Sequence, residues 1–329
     1  MVAAPETRAE PARMPLTLGE LPFADLSLEA QGERCRYKRL ADSIDLLPLP
    51  SALWTEAQAL YQQCMNTQLP RFRAAWPPKE ARPGGVGMRM RVQRRETPYG
   101  PVFIARRIDH KVRPLEKLGL PAEIIKRLRD PQLRAGLVLF AGGPGAGKTT
   151  AACATLLDRL EHIGGFTWTA ENPVEYDIQG PHGHGQCYQE EVADDQDVYR
   201  VFTDTLRSSA DTFYIGEIRE AEAARAACLA AASGMLVLST IHADNPQQAL
   251  VKLGMLAGFP AIAQSLRALI TLRIDHRLTA ANGTVRTLRT QPFFVVDEAQ
   301  RMKIRDGNMA SLNTDIDHQA QALQMGRTL

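Results

Sequence analysis

A chain of 329 residues exceeds what one hydrophobic core usually holds, so two domains are expected. Its 44% hydrophobic and 23% charged residues exclude the compositions of disordered and membrane-embedded proteins, and a net charge of +2 singles out no class of partner. The distribution of charge says more, because Arg71 to Asp130 holds sixteen Lys/Arg against six Asp/Glu, a local net of +10 that leaves −8 for the rest. Five cysteines without a C-x-x-C pair argue against a disulfide framework or a four-cysteine zinc site and fit a reducing cytoplasm. The first twenty residues lack the apolar core of a signal peptide, and the longest uncharged run, Ala226 to Ile241, is shorter than the ~20 residues of a bilayer span. Membrane contact is therefore expected to be peripheral only.

Residues 1–18, with three prolines among small and charged residues, read as a loose arm. Apolar residues spaced at three and four predict a helix over Ala52–Met65, and alternation predicts paired strands over Gly87–Val92 and Val102–Ile108 around a turn at Glu96–Pro101. Residues 19–110 thus form a small α+β unit, and residues 111–132, with a short helix Pro121–Leu128, a linker. From residue 133 onward strands and helices alternate, the signature of a mostly parallel sheet flanked by helices. Helices are expected over Lys148–His162, Asp197–Ser208, Glu220–Ser233, Pro246–Leu256 and Ile262–Leu272, with strands over Leu137–Ala141, Phe166–Ala170, Thr212–Ile215 and Leu236–Ile241. A long loop follows Ala170, and a hairpin signal at Asn282-Gly283 precedes a strand over Pro292–Asp297.

The stretch that organises the chain is Leu137 to Thr150, LVLFAGGPGAGKTT: a hydrophobic strand, a glycine-rich turn, then a helix. Gly142, Gly147, Lys148 and Thr149 satisfy G-x-x-x-x-G-K-[ST], in the strand-to-helix context this phosphate-binding motif requires. Its members, Gly142, Gly143, Pro144, Gly145, Ala146, Gly147, Lys148, Thr149 and Thr150, are candidates for nucleotide binding. The glycines let successive N–H groups turn onto an anion, and the helix start adds its positive end. Lys148 is expected to reach the β- and γ-phosphates of ATP, and the Thr149 hydroxyl a bridging Mg²⁺.

In such sheets ligands gather at the carboxyl ends of the strands. Three strands deliver ionisable groups there: Glu171 after Phe166–Ala170, Glu217 and Arg219 after Thr212–Ile215, and His242 after Leu236–Ile241. They match what phosphoryl transfer to water needs, an acid for the water, an acid for the magnesium shell and donors for the γ-phosphate. His182, His184 and Cys187 could hold zinc, but no fourth ligand is evident and a solvated loop is expected.

The ordered motifs LVLFAGGPGAGKTT, TAENPVEY, TFYIGEIRE and GMLVLSTIHADN resemble the secretion ATPases of type II secretion, type IV pili and type IV conjugation systems. The resemblance implies a RecA-like P-loop ATPase core preceded by a small PAS-like α+β domain, and a cytoplasmic motor at the inner face of the inner membrane. By position it makes Glu171 the water-activating acid, Glu217 a Walker B acid and metal ligand, and His242 a γ-phosphate sensor. Arg207 and Arg219 are expected near the site or a subunit boundary. It further implies a homo-hexameric ring acting on an inner-membrane platform protein, with Arg91, Arg106 or Arg107 completing a neighbour's site. Asn172 stands where the family usually has Asp, Met235 where it has His, and Glu190 where it has Arg. A nucleic-acid translocase and a small-molecule kinase are the competing readings. No direct nucleic-acid contact is expected, since the basic segment offers few aromatics for base stacking.

Overall fold

The computed structural model describes residues 17–39, 44–77, 88–108, 112–278, 284–325 and 327. Packing divides the chain into two units, Met1–Asp109 and His110–Leu329. Of the expected arm only Thr17 and Leu18 lie within the described residues. Leu18 is buried, and its amide donates to Glu56 Oε2 at 2.6 Å.

Among the described residues the first unit is an antiparallel six-stranded sheet with one α-helix. Strands β1 (Asp25–Leu28), β2 (Arg36–Lys38), β3 (Leu47–Pro48), β4 (Arg71–Trp76), β5 (Met88–Thr97) and β6 (Gly100–Arg107) lie in the order β3-β2-β1-β6-β5-β4. Helix α1 (Trp54–Met65) buries Ala57, Leu60, Tyr61 and Cys64, the three-and-four spacing that predicted it. The β5–β6 turn is tighter than expected, because Thr97 pairs with Gly100 and leaves only Pro98 and Tyr99 between the strands. Pairing sets Arg73 opposite Arg91 and Arg91 opposite Arg106, a row of three arginines across β4, β5 and β6.

The second unit carries a mixed eight-stranded sheet in the order β14-β13-β7-β12-β11-β8-β10-β9. Its strands are β7 (Gly136–Ala141), β8 (Gly165–Glu171), β9 (Gly180–His182), β10 (Gly185–Glu191), β11 (Thr212–Ile215), β12 (Leu236–Ile241), β13 (Leu266–Leu278) and β14 (Thr284–Phe294). All neighbours run parallel except the two edge pairs, β13 with β14 and β10 with β9. Every residue of β7 and β12 is buried, as central strands covered on both faces must be. One face carries α4 (Asp195–Thr205), α5 (Ala221–Ala232), α6 (Pro246–Ala257), α7 (Phe259–Ser265), α8 (Glu298–Arg305) and α9 (Met309–Gln324), whose apolar side chains share a core with Leu137, Leu139, Phe213 and Val237. The other carries α2 (Ala122–Leu128) and α3 (Lys148–His162), packed on Val138, Phe140, Tyr214 and Leu238. Residues 112–132 pack here through buried Leu115, Leu120, Ile124 and Leu128.

Three expectations are corrected. The helix read over Ile262–Leu272 ends at Ser265, and the chain turns into β13, which inserts between β7 and β14. The long loop after Ala170 contains β9 and β10, the latter extending the sheet beside β8. Helices α8 and α9 form beyond Pro292–Asp297, which itself divides between the end of β14 and the cap of α8. The Asn282-Gly283 turn lies outside the described residues.

Candidate functional site

The phosphate loop connects β7 to α3. Gly142 is confined by its surroundings, since a Cβ there would lie 2.4 Å from the Leu272 carbonyl oxygen, closer than any side chain tolerates. Gly147, at φ +87°, occupies the left-handed conformation from which α3 starts, and no side chain caps that helix. The first-turn N–H groups are thus left to an anion. Ala146 is buried beneath the loop, while Pro144, Gly145, Gly147, Lys148, Thr149 and Thr150 line a cavity of ≈ 380 Å³.

The strand ends close the same cavity. Glu171 ends β8, Glu217 and Arg219 follow β11, and His242 follows β12, and all four line it with Glu175 and Tyr214. Lys148 Nζ donates to the Gly143 carbonyl at 2.9 Å and lies 3.2 Å from His242 Nδ1. On the other side of the imidazole, His242 Nε2 stands 3.0 Å from Glu217 Oε1, and Glu217 Oε2 accepts from Arg219 Nε at 2.7 Å. A chain of contacts, lysine to histidine to carboxylate to guanidinium, therefore runs along the cavity wall. Burial lowers the Lys148 pKa, and the nearby Glu217 and Glu175 carboxylates partly offset it. Glu171 is 1% exposed, and its Oε1 accepts from Thr169 Oγ1 and Gln189 Nε2, each at 2.8 Å.

For Mg²⁺ the relevant observation is Glu217 Oε1. Despite its 3.0 Å approach to His242, this buried oxygen has no aligned hydrogen-bond donor. Thr149 shares its cavity, so a hydroxyl and a carboxylate oxygen, both hard ligands suited to Mg²⁺, are available there. Among the described residues no group of three His, Cys, Asp or Glu side chains is arranged to hold a metal by itself. His182 Nε2 lies 2.8 Å from the Ile178 carbonyl oxygen, whereas Cys187 is buried in the core under β10.

Two groups of arginines are placed differently from the cavity residues. Arg207 follows the last turn of α4, is exposed, and does not line the cavity. In the first unit, Arg106 forms a two-pronged pair with Asp25 at 2.7 and 2.9 Å. Arg107 donates to the Leu21 and Gly19 carbonyls and lies over the Phe23 ring. Arg91 holds the middle of the arginine row. Sequence reading missed Thr169, Gln189 and Tyr176. Only Thr169 carried a signal, two residues before Glu171 on the same strand face.

The family model for the type II/IV secretion system protein matches residues 82–324. Type IV pilus ATPase PilU of Pseudomonas aeruginosa is 38% identical over 154 residues, covering 46% of this chain and 38% of that protein. Type II secretion system protein E of Klebsiella pneumoniae is 30% identical over 228 residues, covering 68% and 44%. The chain thus matches less than half the length of these curated relatives. Among solved structures, the pilus retraction motor PilT with bound ADP superposes with a TM-score of 0.70 at 20% identity, covering 90% of this chain and 85% of that one. The Legionella pneumophila ATPase DotB superposes with a TM-score of 0.65 at 18% identity, covering 89% and 84%. These likenesses establish the RecA-like fold of the parallel core. With its family model matched over most of the chain, the protein belongs to the type II/IV secretion system protein family.

Proposed function

We propose that the chain is an Mg²⁺-dependent ATPase and the motor of a type IV pilus, type II secretion or type IV secretion machine. The observation that carries this reading is the convergence of Lys148, Glu171, Glu217, Arg219 and His242 from four strand ends on one cavity beside a P-loop. The loop amides and Lys148 hold the phosphates. His242, between Lys148 and Glu217, is placed to sense the γ-phosphate, and Glu171 orients and deprotonates the attacking water. Thr149 and Glu217 would hold Mg²⁺, which neutralises charge on the β- and γ-oxygens when bound.

The relatives named as pilus and secretion proteins support the choice of machine. We place the protein in the cytoplasm at the inner membrane, as a homo-hexamer acting on a platform protein there. No helix among the described residues is long and apolar enough to cross a membrane. The contact in trans to a neighbour's nucleotide is assigned to the arginine row, above all Arg91 and Arg106, which stand opposite one another on β5 and β6. Phosphate release from ATP tests the function. Turnover that requires Mg²⁺ but neither DNA nor an acceptor substrate is expected; turnover that appears only with DNA would support a translocase instead.

A further inference from the structure

We propose that Gln189, assisted by Thr169, is the positioning residue for Glu171, fixing the orientation of the water-activating carboxylate and tying it to the segment Tyr176–Ile178, which meets the phosphate-loop helix at Thr150. The inference rests on the reading of Glu171 as that acid.

Gln189 lies in β10 with its Cα paired to Thr169 of β8. Its side-chain amide makes three hydrogen bonds: Nε2 donates to Glu171 Oε1 at 2.8 Å and to the Tyr176 carbonyl at 3.0 Å, and Oε1 accepts from the Ile178 amide at 2.7 Å. Both N–H groups and the oxygen are therefore used. Reversing the amide would set its oxygen against a carboxylate and a carbonyl and its NH₂ against an N–H, so the hydrogen bonds admit one orientation. From the other side Thr169 Oγ1, fully buried, donates to the same Glu171 oxygen at 2.8 Å. Two donors from neighbouring strands thus hold one oxygen of a carboxylate that is itself 1% exposed.

Two consequences follow from this geometry. Donors to a carboxylate favour its ionised form against the penalty of burial, and only the ionised form can accept a proton from water. Buried groups that feel the Glu171 charge include the Cys153 thiol from α3, the Cys187 thiol from β10 and the Tyr214 phenol from β11. Burial raises the pKa of each and keeps it neutral, so none competes as an anion. The same amide also anchors the segment Tyr176–Ile178, and the Tyr176 hydroxyl lies 2.7 Å from Thr150 Oγ1, one residue beyond the metal-binding candidate Thr149. One side chain on a strand near the sheet edge therefore joins the acid to the start of the phosphate-loop helix.

The test compares ATP turnover, KM, nucleotide affinity and thermal melting for the full chain as wild type, Gln189→Leu, Thr169→Val, Glu171→Gln and Gln189→Leu/Glu171→Gln. Removing a hydrogen bond to a charged group typically costs a factor of ~10 to ~100, and the loss is expected in kcat, with KM and affinity for Mg-ATP within about twofold. Because Gln189 acts through Glu171, the double variant should be no slower than Glu171→Gln alone. Loss of turnover in Glu171→Gln with wild-type turnover in Gln189→Leu overturns the inference and leaves the acid assigned. Losses that multiply in the double variant also overturn it. Wild-type turnover in Glu171→Gln instead sinks the assignment of the acid, and the inference with it. Should Gln189→Leu melt below the assay temperature, Thr169→Val, nearly isosteric and lacking the second donor, decides on the same criteria.

Discussion

Replacing Lys148 with alanine should separate nucleotide binding from folding, and the structure gives both signs. The side chain is 7% exposed, and its ammonium has the Gly143 carbonyl and the His242 ring as neighbours at 2.9 and 3.2 Å. Burial lowers its pKa, which means that the folded protein disfavours this charge. Truncation removes a desolvated cation from the wall of a cavity open to water, so no sealed void is left in the core. Thermal stability should therefore stay within a few degrees of wild type or rise. Binding moves the other way. A charge-assisted hydrogen bond to phosphate is worth about 1.5–3 kcal/mol, and two of them, to the β- and γ-phosphates, about 3–6 kcal/mol. At about 1.4 kcal/mol per decade, nucleotide affinity should fall roughly 10²- to 10⁴-fold. Calorimetric titration with Mg-ATP and a melting curve on the same preparation measure both quantities. Unchanged affinity would refute the phosphate-loop assignment, and a large loss of stability would show that the lysine packs as a structural group.

The arginine row predicts complementation: Arg91→Ala/Arg106→Ala protein and Lys148→Ala protein, each inactive, should regain ATPase activity when co-assembled, since an arginine supplied in trans can be worth ~10³-fold in rate. Activity in the double arginine variant alone, or a dead mixture of demonstrated co-assemblies, would remove the in-trans contact. All five cysteines are buried, so a thiol-reactive dye should label the native protein slowly and the denatured protein at five sites. Burial also raises thiol pKa values above their ordinary 9.0, to about 12 for Cys64, so the unfolded chain loses these protons first as pH rises. Their contribution to stability is complete below pH ~9 and declines as pH climbs toward the folded-state values. Denaturant midpoints that rise between pH 9 and 11 would contradict the sign.

The phosphate loop and the acids at the strand ends were legible because both follow local rules. A glycine-rich turn between a buried strand and a helix is written in consecutive residues, and the end of a central strand is marked where an apolar run meets an ionisable residue, as at Ile241-His242. Strand β10 was not, because GQCYQEE buries only Cys187, so its place beside β8 is decided by pairing across the sheet. Gln189 was hidden for the same reason. Its partners Glu171, Tyr176 and Ile178 lie eleven to eighteen residues away, and nothing in the spacing brings them together. The run Ile262–Leu272 satisfies helical and buried-strand patterns alike, and the gap between β7 and β14 settles it from Leu266 onward. Helix α8 did leave a trace: Asp297 caps it by accepting from the Gln300 amide, a start signal at the head of a largely polar helix.

The central claim, hydrolysis of Mg-ATP by acids at these strand ends, is tested most directly by Glu217→Gln. The substitution keeps the shape and removes the charge that faces Arg219 and His242. Phosphate release and nucleotide affinity should be measured together on wild type and variant. Mg-ATP affinity is expected to persist while turnover falls on the order of 10²-fold or more. Turnover at the wild-type rate with the same affinity would contradict the account.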